Sequence, residues 1–188
     1  LFETSKDSDR SKFQGLEDMI SIVLDNWSQK EGKNHTGIPS GFIDLDDKLS
    51  GFQKSDLIIL AARPSMGKTA LALNLARNAA VNYDHKVGIF SLEMSMQQLA
   101  ERLLTSEARV DSHLVRTGKL PQKDWKKLPR AADKLVKPNI FIDDSAGLNI
   151  MELRAKARQL VSEEKIEILF VDYIQLLSAG RRFENRQQ

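Results

Sequence analysis

The sequence predicts an α/β fold: a mainly parallel β-sheet with helices on both faces. Two observations carry that prediction. Apolar strand-like runs alternate with amphipathic helical runs along most of the chain. Runs such as LIILA (57–61), KVGIFSL (86–92) and IEILFV (166–171) are apolar at consecutive rather than alternate positions, as in strands covered on both faces. A third observation gives the fold a centre. Asp56 to Ala80, DLIILAARPSMGKTALALNLARNAA, reads as a buried strand, a tight turn carrying Gly67-Lys68-Thr69, and an immediate helix.

Taken in order, Leu1 to Arg10 is polar. Ser11-Lys-Phe-Gln14 has capping-box spacing, and Phe13, Leu16, Ile20, Val23, Leu24 and Trp27 then recur at helical intervals. This predicts an amphipathic helix ending near Gly32, followed by the polar linker EGKNHTG. Its apolar face needs a cover, and the sequence leaves two open: its own domain or a neighbouring subunit. Glycines at 37, 41 and 51 flank a short helical piece in GIPSGFIDLDDKLSGF. Leu57 to Ala61 is the first expected strand and Lys86 to Leu92 the second, delivering Glu93 at its carboxyl end. Ser95-Met-Gln-Gln98 is another capping box, opening a helix with Leu99, Leu103 and Leu104 on one face. Val110 to Leu120 reads as an irregular connection, and Pro121 to Val136 as a helix burying Trp125 and Leu128, with Pro129 a point of interruption. Asn139 to Ile142 is the third strand, ending in Asp143-Asp144. Asn149-x-x-Glu152 starts the next helix, and Ile166 to Val171 is the fourth strand, ending at Asp172.

Sheets of this kind bind ligands at the carboxyl ends of their strands. Here those ends carry the Lys68 loop, Glu93, Asp143-Asp144 and Asp172. The loop matches G-x-x-x-x-G-K-[ST] except that Ala62 stands at the first glycine, which implies a turn entry without positive φ there. Backbone N–H groups of Ser65 to Lys68 can curl around a phosphate at the positive end of the helix dipole. Lys68 would reach the β- and γ-phosphates and the Thr69 hydroxyl would ligate Mg²⁺. Asp172 fits the metal-holding acid of such sites better than a plain strand terminator. Glu93 fits two roles equally, a general base for the attacking water or a first-turn helix residue. Asp143 and Asp144 read as turn or cap residues. His35, His85 and His113 lack metal-ligand spacing and read as surface residues, while Trp27 and Trp125 read as core or interface. Ser178 to Asn185, SAGRRFEN, reads by composition as a solvated tail.

Composition sets the outer bounds. At 188 residues, 41% hydrophobic and 29% charged, the chain is sized for one globular domain with an appendage. A net charge of +2 means that any nucleic-acid site must be local. The absence of cysteine excludes a disulfide framework and thiolate metal sites, and fits a reducing compartment. No apolar run reaches membrane-spanning length, and the N-terminus is too polar for a signal peptide. Beginning at Leu1 and stopping in RRFENRQQ, the chain reads as an excerpt.

Five motifs, in this order and at this spacing, resemble the bacterial replicative DNA helicases of the DnaB type: ARPSMGKT (62–69), FSLEM (90–94), RTGKL (116–120), IDDSAG (142–147) and DYIQLL (172–177), with the terminal ENRQQ matching as well. The resemblance covers nearly everything from 37 to 188, and that family often carries alanine at the position of Ala62. It implies a RecA-like P-loop ATPase domain over 37–188, incomplete at its C-terminus, preceded by a linker region over 1–36 with its helix at about 11–30. By the same resemblance, Arg63, Pro64, Ser65, Met66, Gly67, Lys68, Thr69 and Ala70 bind ATP, Thr69 and Asp172 hold Mg²⁺, and Glu93 activates water. Gln175 links the γ-phosphate to a DNA loop, and Arg181 and Arg182 face a central channel threaded by single-stranded DNA. The implied assembly is a cytoplasmic homohexamer, joined through the linker helix and the ATPase interface, that works with primase and a helicase loader in a primosome and has no membrane partner. The family's N-terminal collar, its main DNA loops and its arginine finger fall outside these residues, which predicts weak hydrolysis by this chain alone. A RecA-type recombinase or related ring ATPase shares the loop, glutamate and aspartate, but RTGKL, IDDSAG and DYIQLL favour the helicase. A non-catalytic partner-binding module set by nucleotide is the third reading.

Overall fold

The computed structural model describes residues 15–30, 36–136 and 140–177. Among the described residues three parallel strands form the sheet: β1 (Val87–Ser91) in the centre, β2 (Ile140–Asp143) on one side and β3 (Ile168–Asp172) on the other. Val87 pairs with Ile140 and Ile168, and the ladders run up to Phe90 with Asp143 and Ser91 with Asp172. The carboxyl ends of all three strands therefore lie along one edge.

Helices cover both faces, as the consecutive apolar positions require. Val87 and Ile89 pack with Leu73, Ala76 and Ala79 of the first covering segment and with Leu99 and Leu103, joined by Ile140, Ile142, Ile168 and Phe170. The helices concerned are α3 (Lys68–Arg77), prolonged by a π-helical turn over Asn78–Asn82, and α4 (Met96–Ala108). On the other face Phe90 packs with Leu148 and Leu153, the latter on α8 (Ile150–Glu164). Gly88 allows that approach: a Cβ there would lie 2.7 Å from a Leu169 methyl and 3.0 Å from one of Leu160. Burying large apolar side chains such as Phe90 and Leu99, both 2% exposed, contributes about 1.5–3 kcal/mol each.

The helix starts follow the sequence signals. Ser95 and Asn149 form full capping boxes with Gln98 and Glu152. Helix α2 (Ile43–Leu49) sits in a loop closed by the Ile38–Phe52 bridge. Buried Asp46 accepts the Ser40 and Gly41 N–H groups at 2.7 and 3.0 Å, and the Asn78 amide donates to the Ser40 carbonyl, tying this loop to the turn after α3. Glu107 of α4 is the hub of another tie. It accepts from Arg77 Nε at 2.7 Å and Lys134 Nζ at 2.9 Å. Burial pushes its carboxyl up, but hydrogen bonds from Lys134 and Arg77 outweigh burial and hold it below the ordinary value.

Several expectations need correction. Leu57 to Ala61 is not a strand: no described segment pairs with it, and Leu57 and Ile59 are 89% and 77% exposed. An apolar run signals a capacity for burial, whereas a strand needs a partner ladder, and β3 offers its described pairing to β1 alone. The connection at 110–120 contains a helical turn, α5 (Ser112–Arg116), because Asp111 accepts the His113 and Leu114 N–H groups. The helix expected over 121–136 is two, α6 (Gln122–Trp125) and α7 (Lys127–Leu135), and the break falls at Lys126 rather than Pro129. Pro129 is in the first turn of α7, where its missing N–H would have had no helical partner. His85 is not a bare surface residue, since its Nδ1 meets Glu167 at 3.0 Å. Trp125 is 46% exposed, with its indole N–H donated to the Leu120 carbonyl.

Helix α1 (Leu16–Lys30) leaves its apolar residues uncovered: Leu16, Leu24 and Trp27 are 75%, 55% and 65% exposed. Its expected cap at Ser11–Gln14, Phe13 and the linker as far as His35 lie outside the described residues. So do Asn139 and the whole of Ser178–Asn185, including Arg181 and Arg182. Among the described residues no helix is long and apolar enough to cross a membrane.

Candidate active site

The loop before α3 turns on two left-handed residues, Ser65 at φ 64 and Gly67 at φ 86. Ala62 has no positive φ, as an alanine standing at the pattern's first glycine implied. A Cβ on Gly67 would touch nothing within 4 Å, so glycine answers to backbone conformation there and not to space. Gly67 is the N-cap of α3 and no side chain caps that end, which leaves first-turn N–H groups to an outside acceptor. The turn is closed by the Met66 N–H donating to the Arg63 carbonyl at 3.2 Å. Arg63, Pro64, Ser65, Met66, Gly67 and Ala70 are all exposed along this rim.

Lys68 and Thr69, the first two residues of α3, both meet the last residue of β3. Lys68 Nζ lies 2.7 Å from one Asp172 carboxylate oxygen, and the Thr69 hydroxyl donates to the other at 2.6 Å. These partners are far apart in sequence, and the contact exists because the loop crosses the carboxyl edge beside β3. The Lys68 ammonium also sits over the Tyr173 ring, 4.1 Å from its centroid. Sequence reasoning missed that contact; an aromatic residue after Asp172 was visible, but its position under Lys68 was not.

Glu93 follows β1 in a tightly fastened turn. Ser91, 3% exposed, donates its hydroxyl to the Met94 carbonyl at 2.6 Å and accepts the Met94 N–H at 3.3 Å. The Leu92 N–H donates to the Asp172 carbonyl at 2.7 Å. The Glu93 side chain is exposed, and nothing among the described residues bonds its carboxylate. Gln175 is exposed in the single 3₁₀ turn Ile174–Leu176 that follows β3. Lys68, Thr69 and Asp172 are thus in direct contact, Glu93 stands at the adjacent strand end, and no described contact joins Glu93 or Gln175 to the trio.

Asp143 and Asp144 do serve as turn and cap residues. Asp143 accepts the Ser145 N–H at 2.9 Å and Lys156 Nζ at 2.6 Å. Burial pushes its carboxyl up, yet the hydrogen bonds from Lys156 and Ser145 win and hold it below the ordinary range. Asp144 accepts the Met96 N–H at the start of α4, at 2.8 Å.

The donors fit a hard divalent cation. Thr69 and Asp172 offer an alcohol and a carboxylate, an oxygen-only pair of the kind that suits Mg²⁺ when phosphate and water supply the remaining ligands. Among the described residues no group of three His, Cys, Asp or Glu side chains forms a protein cage for a metal.

Residues 37–188 match the family described as the DnaB-like helicase C-terminal domain. Over its whole length the chain is 44% identical to the replicative DNA helicase DnaC of Bacillus subtilis and to the replicative DNA helicase DnaB of Geobacillus stearothermophilus, spanning 42% of each. It therefore covers under half of the length of these curated relatives. Among solved structures, one ATPase domain superposes with a TM-score of 0.83 at 30% identity, over 93% of this chain and 62% of that one. A DnaB-like replicative helicase, described with its interactions with primase, superposes at 0.77 and 30% identity, over 93% of this chain and 42% of that one.

Proposed function

The chain belongs to the DnaB-like helicase C-terminal domain family, and from that premise we propose that it is the motor portion of an ATP-dependent replicative DNA helicase. Residues 37–188 serve as the RecA-like ATPase part and 1–36 as the linker region. The observation that carries the reading is the meeting of Lys68 and Thr69 on the Asp172 carboxylate, which gathers a phosphate-binding lysine and two metal-type oxygens at one sheet edge.

The reading assigns each residue a task. N–H groups of the loop from Arg63 to Gly67, continued by Lys68, Thr69 and Ala70, wrap the phosphates of ATP. Lys68 leaves Asp172 to neutralise the β- and γ-phosphate oxygens. Thr69 and Asp172 hold Mg²⁺, which supplies charge neutralisation on the phosphate oxygens when bound. Glu93, whose carboxylate has no partner among the described residues, orients the attacking water and takes its proton. Gln175, two residues beyond the Lys68–Tyr173 stack, relays γ-phosphate state toward DNA. Arg181 and Arg182 contact single-stranded DNA in a central channel.

The complete protein works in the cytoplasm as a homohexamer that translocates on single-stranded DNA, with primase and a loader as partners. The exposed apolar face of α1 supports docking on the neighbouring subunit. The test is made on the complete ring-forming protein. Lys68→Ala should lose nucleotide binding, whereas Glu93→Gln should keep ATP binding and lose hydrolysis and unwinding. A Glu93→Gln protein that hydrolyses ATP at the unaltered rate refutes the assignment.

A further inference from the structure

We infer that Asp144 is a positioning residue for hydrolysis, acting through the seat of Glu93. The inference rests on the proposed role of Glu93 and assigns the residue that fixes where that carboxylate stands.

The turn from Ser91 to Met96 is held on three sides. On the β3 side the Leu92 N–H donates to the Asp172 carbonyl at 2.7 Å. Within the turn the Ser91 hydroxyl grips Met94 through both its carbonyl and its N–H. On the β2 side the Asp144 carboxylate accepts the Met96 N–H at 2.8 Å. Phe90 pairs with Asp143 and Ser91 with Asp172, so the two anchors come from the strands on either side of β1. The turn thus spans the sheet edge with both neighbours holding it, while the Glu93 side chain has no described partner of its own. A general base with no side-chain support takes its position from its backbone alone. Of the three holds, Asp144 is the only one made by a charged side chain, and it meets α4 at its first residue, where the helix dipole strengthens the bond. The capping box of Ser95 and Gln98 takes up the N–H groups of those two residues, and Asp144, reaching from the β2 side, takes the Met96 N–H that the box leaves open.

The test compares Asp144→Ala, Asp144→Asn, Glu93→Gln and the Glu93→Gln/Asp144→Ala double variant in the complete ring-forming protein, by steady-state and single-turnover ATP hydrolysis and by nucleotide binding. Small displacements of a reacting group cost up to about 100-fold in rate. Asp144→Ala should lower kcat roughly 10-fold with KM and nucleotide Kd unchanged. Asp144→Asn, whose amide oxygen can still accept the Met96 N–H, should recover most of it. The double variant should be no slower than Glu93→Gln. Should the alanine variant not fold, Asp144→Ser, too short to reach Met96, takes its place. An undiminished kcat in Asp144→Ala, or a double variant slower than Glu93→Gln by the same 10-fold, overturns the inference. Those results leave the role of Glu93 standing, whereas an active Glu93→Gln protein overturns that role first.

Discussion

Replacing Asp172 by Asn keeps the shape of the side chain and removes its charge. The Asp172 carboxylate holds Lys68 at 2.7 Å, so it would compete with a phosphate for the ammonium. Hydrogen bonds to charged groups contribute about 1.5–3 kcal/mol, and exposed ion pairs about 0.2–1 kcal/mol. This pair lies between, with Lys68 26% and Asp172 13% exposed, which puts its net worth at about 1–2 kcal/mol. At about 1.4 kcal/mol per factor of ten, freeing Lys68 should tighten ATP binding in EDTA roughly 5- to 30-fold. The Thr69 hydroxyl still finds an amide oxygen, so the fold should hold. With Mg²⁺ the order should reverse: on the proposed metal role the variant gains little or nothing from the cation, because a neutral amide stands where a carboxylate would bind it. Calorimetric titration with ATP, in EDTA and in Mg²⁺, reads both effects. Equal weakening under both conditions refutes the competition argument and the metal role together, and an undiminished gain from Mg²⁺ alone refutes the metal role.

Three further expectations follow from the geometry. Glu107→Gln should cost about 2 kcal/mol, nearer the value of a charged hydrogen bond than of a sealed ion pair, because Arg77 and Lys134 stay 21% and 62% exposed. Its folded-state pKa is depressed, so the stability it adds is present at neutral pH and is lost as pH falls below the ordinary 4.5 through the folded value. Thermal melts of the two proteins should therefore converge in acid, and a constant gap down to strongly acidic pH would count against the network. Gly67→Ala should cost about 1 kcal/mol in stability through its positive φ, and should also weaken nucleotide binding by turning loop N–H groups away. An unchanged melting temperature and ATP affinity would contradict it. Tyr173→Leu should lose about 0.5–1 kcal/mol of nucleotide-free stability while Tyr173→Phe loses almost none, since only leucine lacks a ring face for Lys68. Equal losses in denaturant unfolding would assign Tyr173 to packing alone.

Much of the framework was legible because it depends on local chemistry. Ser95 with Gln98 and Asn149 with Glu152 cap helices in the way their spacing announces, and β1 to β3 fall within two residues of their expected bounds. The nearness of Lys68 and Thr69 to Asp172 was legible in half: β3 delivers Asp172 to the carboxyl edge as a parallel strand must, whereas the loop reaches that edge without the strand expected at Leu57–Ala61. What escaped depends on partners. Leu57–Ala61 has every residue a strand wants but no described neighbour to bond. The Arg77–Glu107–Lys134 tie joins three helices whose charges look like solvated surface along the chain. Pro129 misled because a proline's effect depends on its place within the helix, and the first turn tolerates it. Tyr173 under Lys68 requires the turn after β3, which no periodicity reports.

Helix α1 has a thermodynamic consequence of its own. Fifteen residues with Leu16, Leu24 and Trp27 turned to solvent are marginal as an isolated helix in water. On the proposed docking against a neighbouring subunit, its helical content should be set by mass action: dilution should erode the helical signal in far-UV circular dichroism, and concentration should restore it. Folding of this segment and assembly of the protein then become one equilibrium, so a change at Trp27 would register as a shift in subunit affinity while the sheet and its covering helices melt as before.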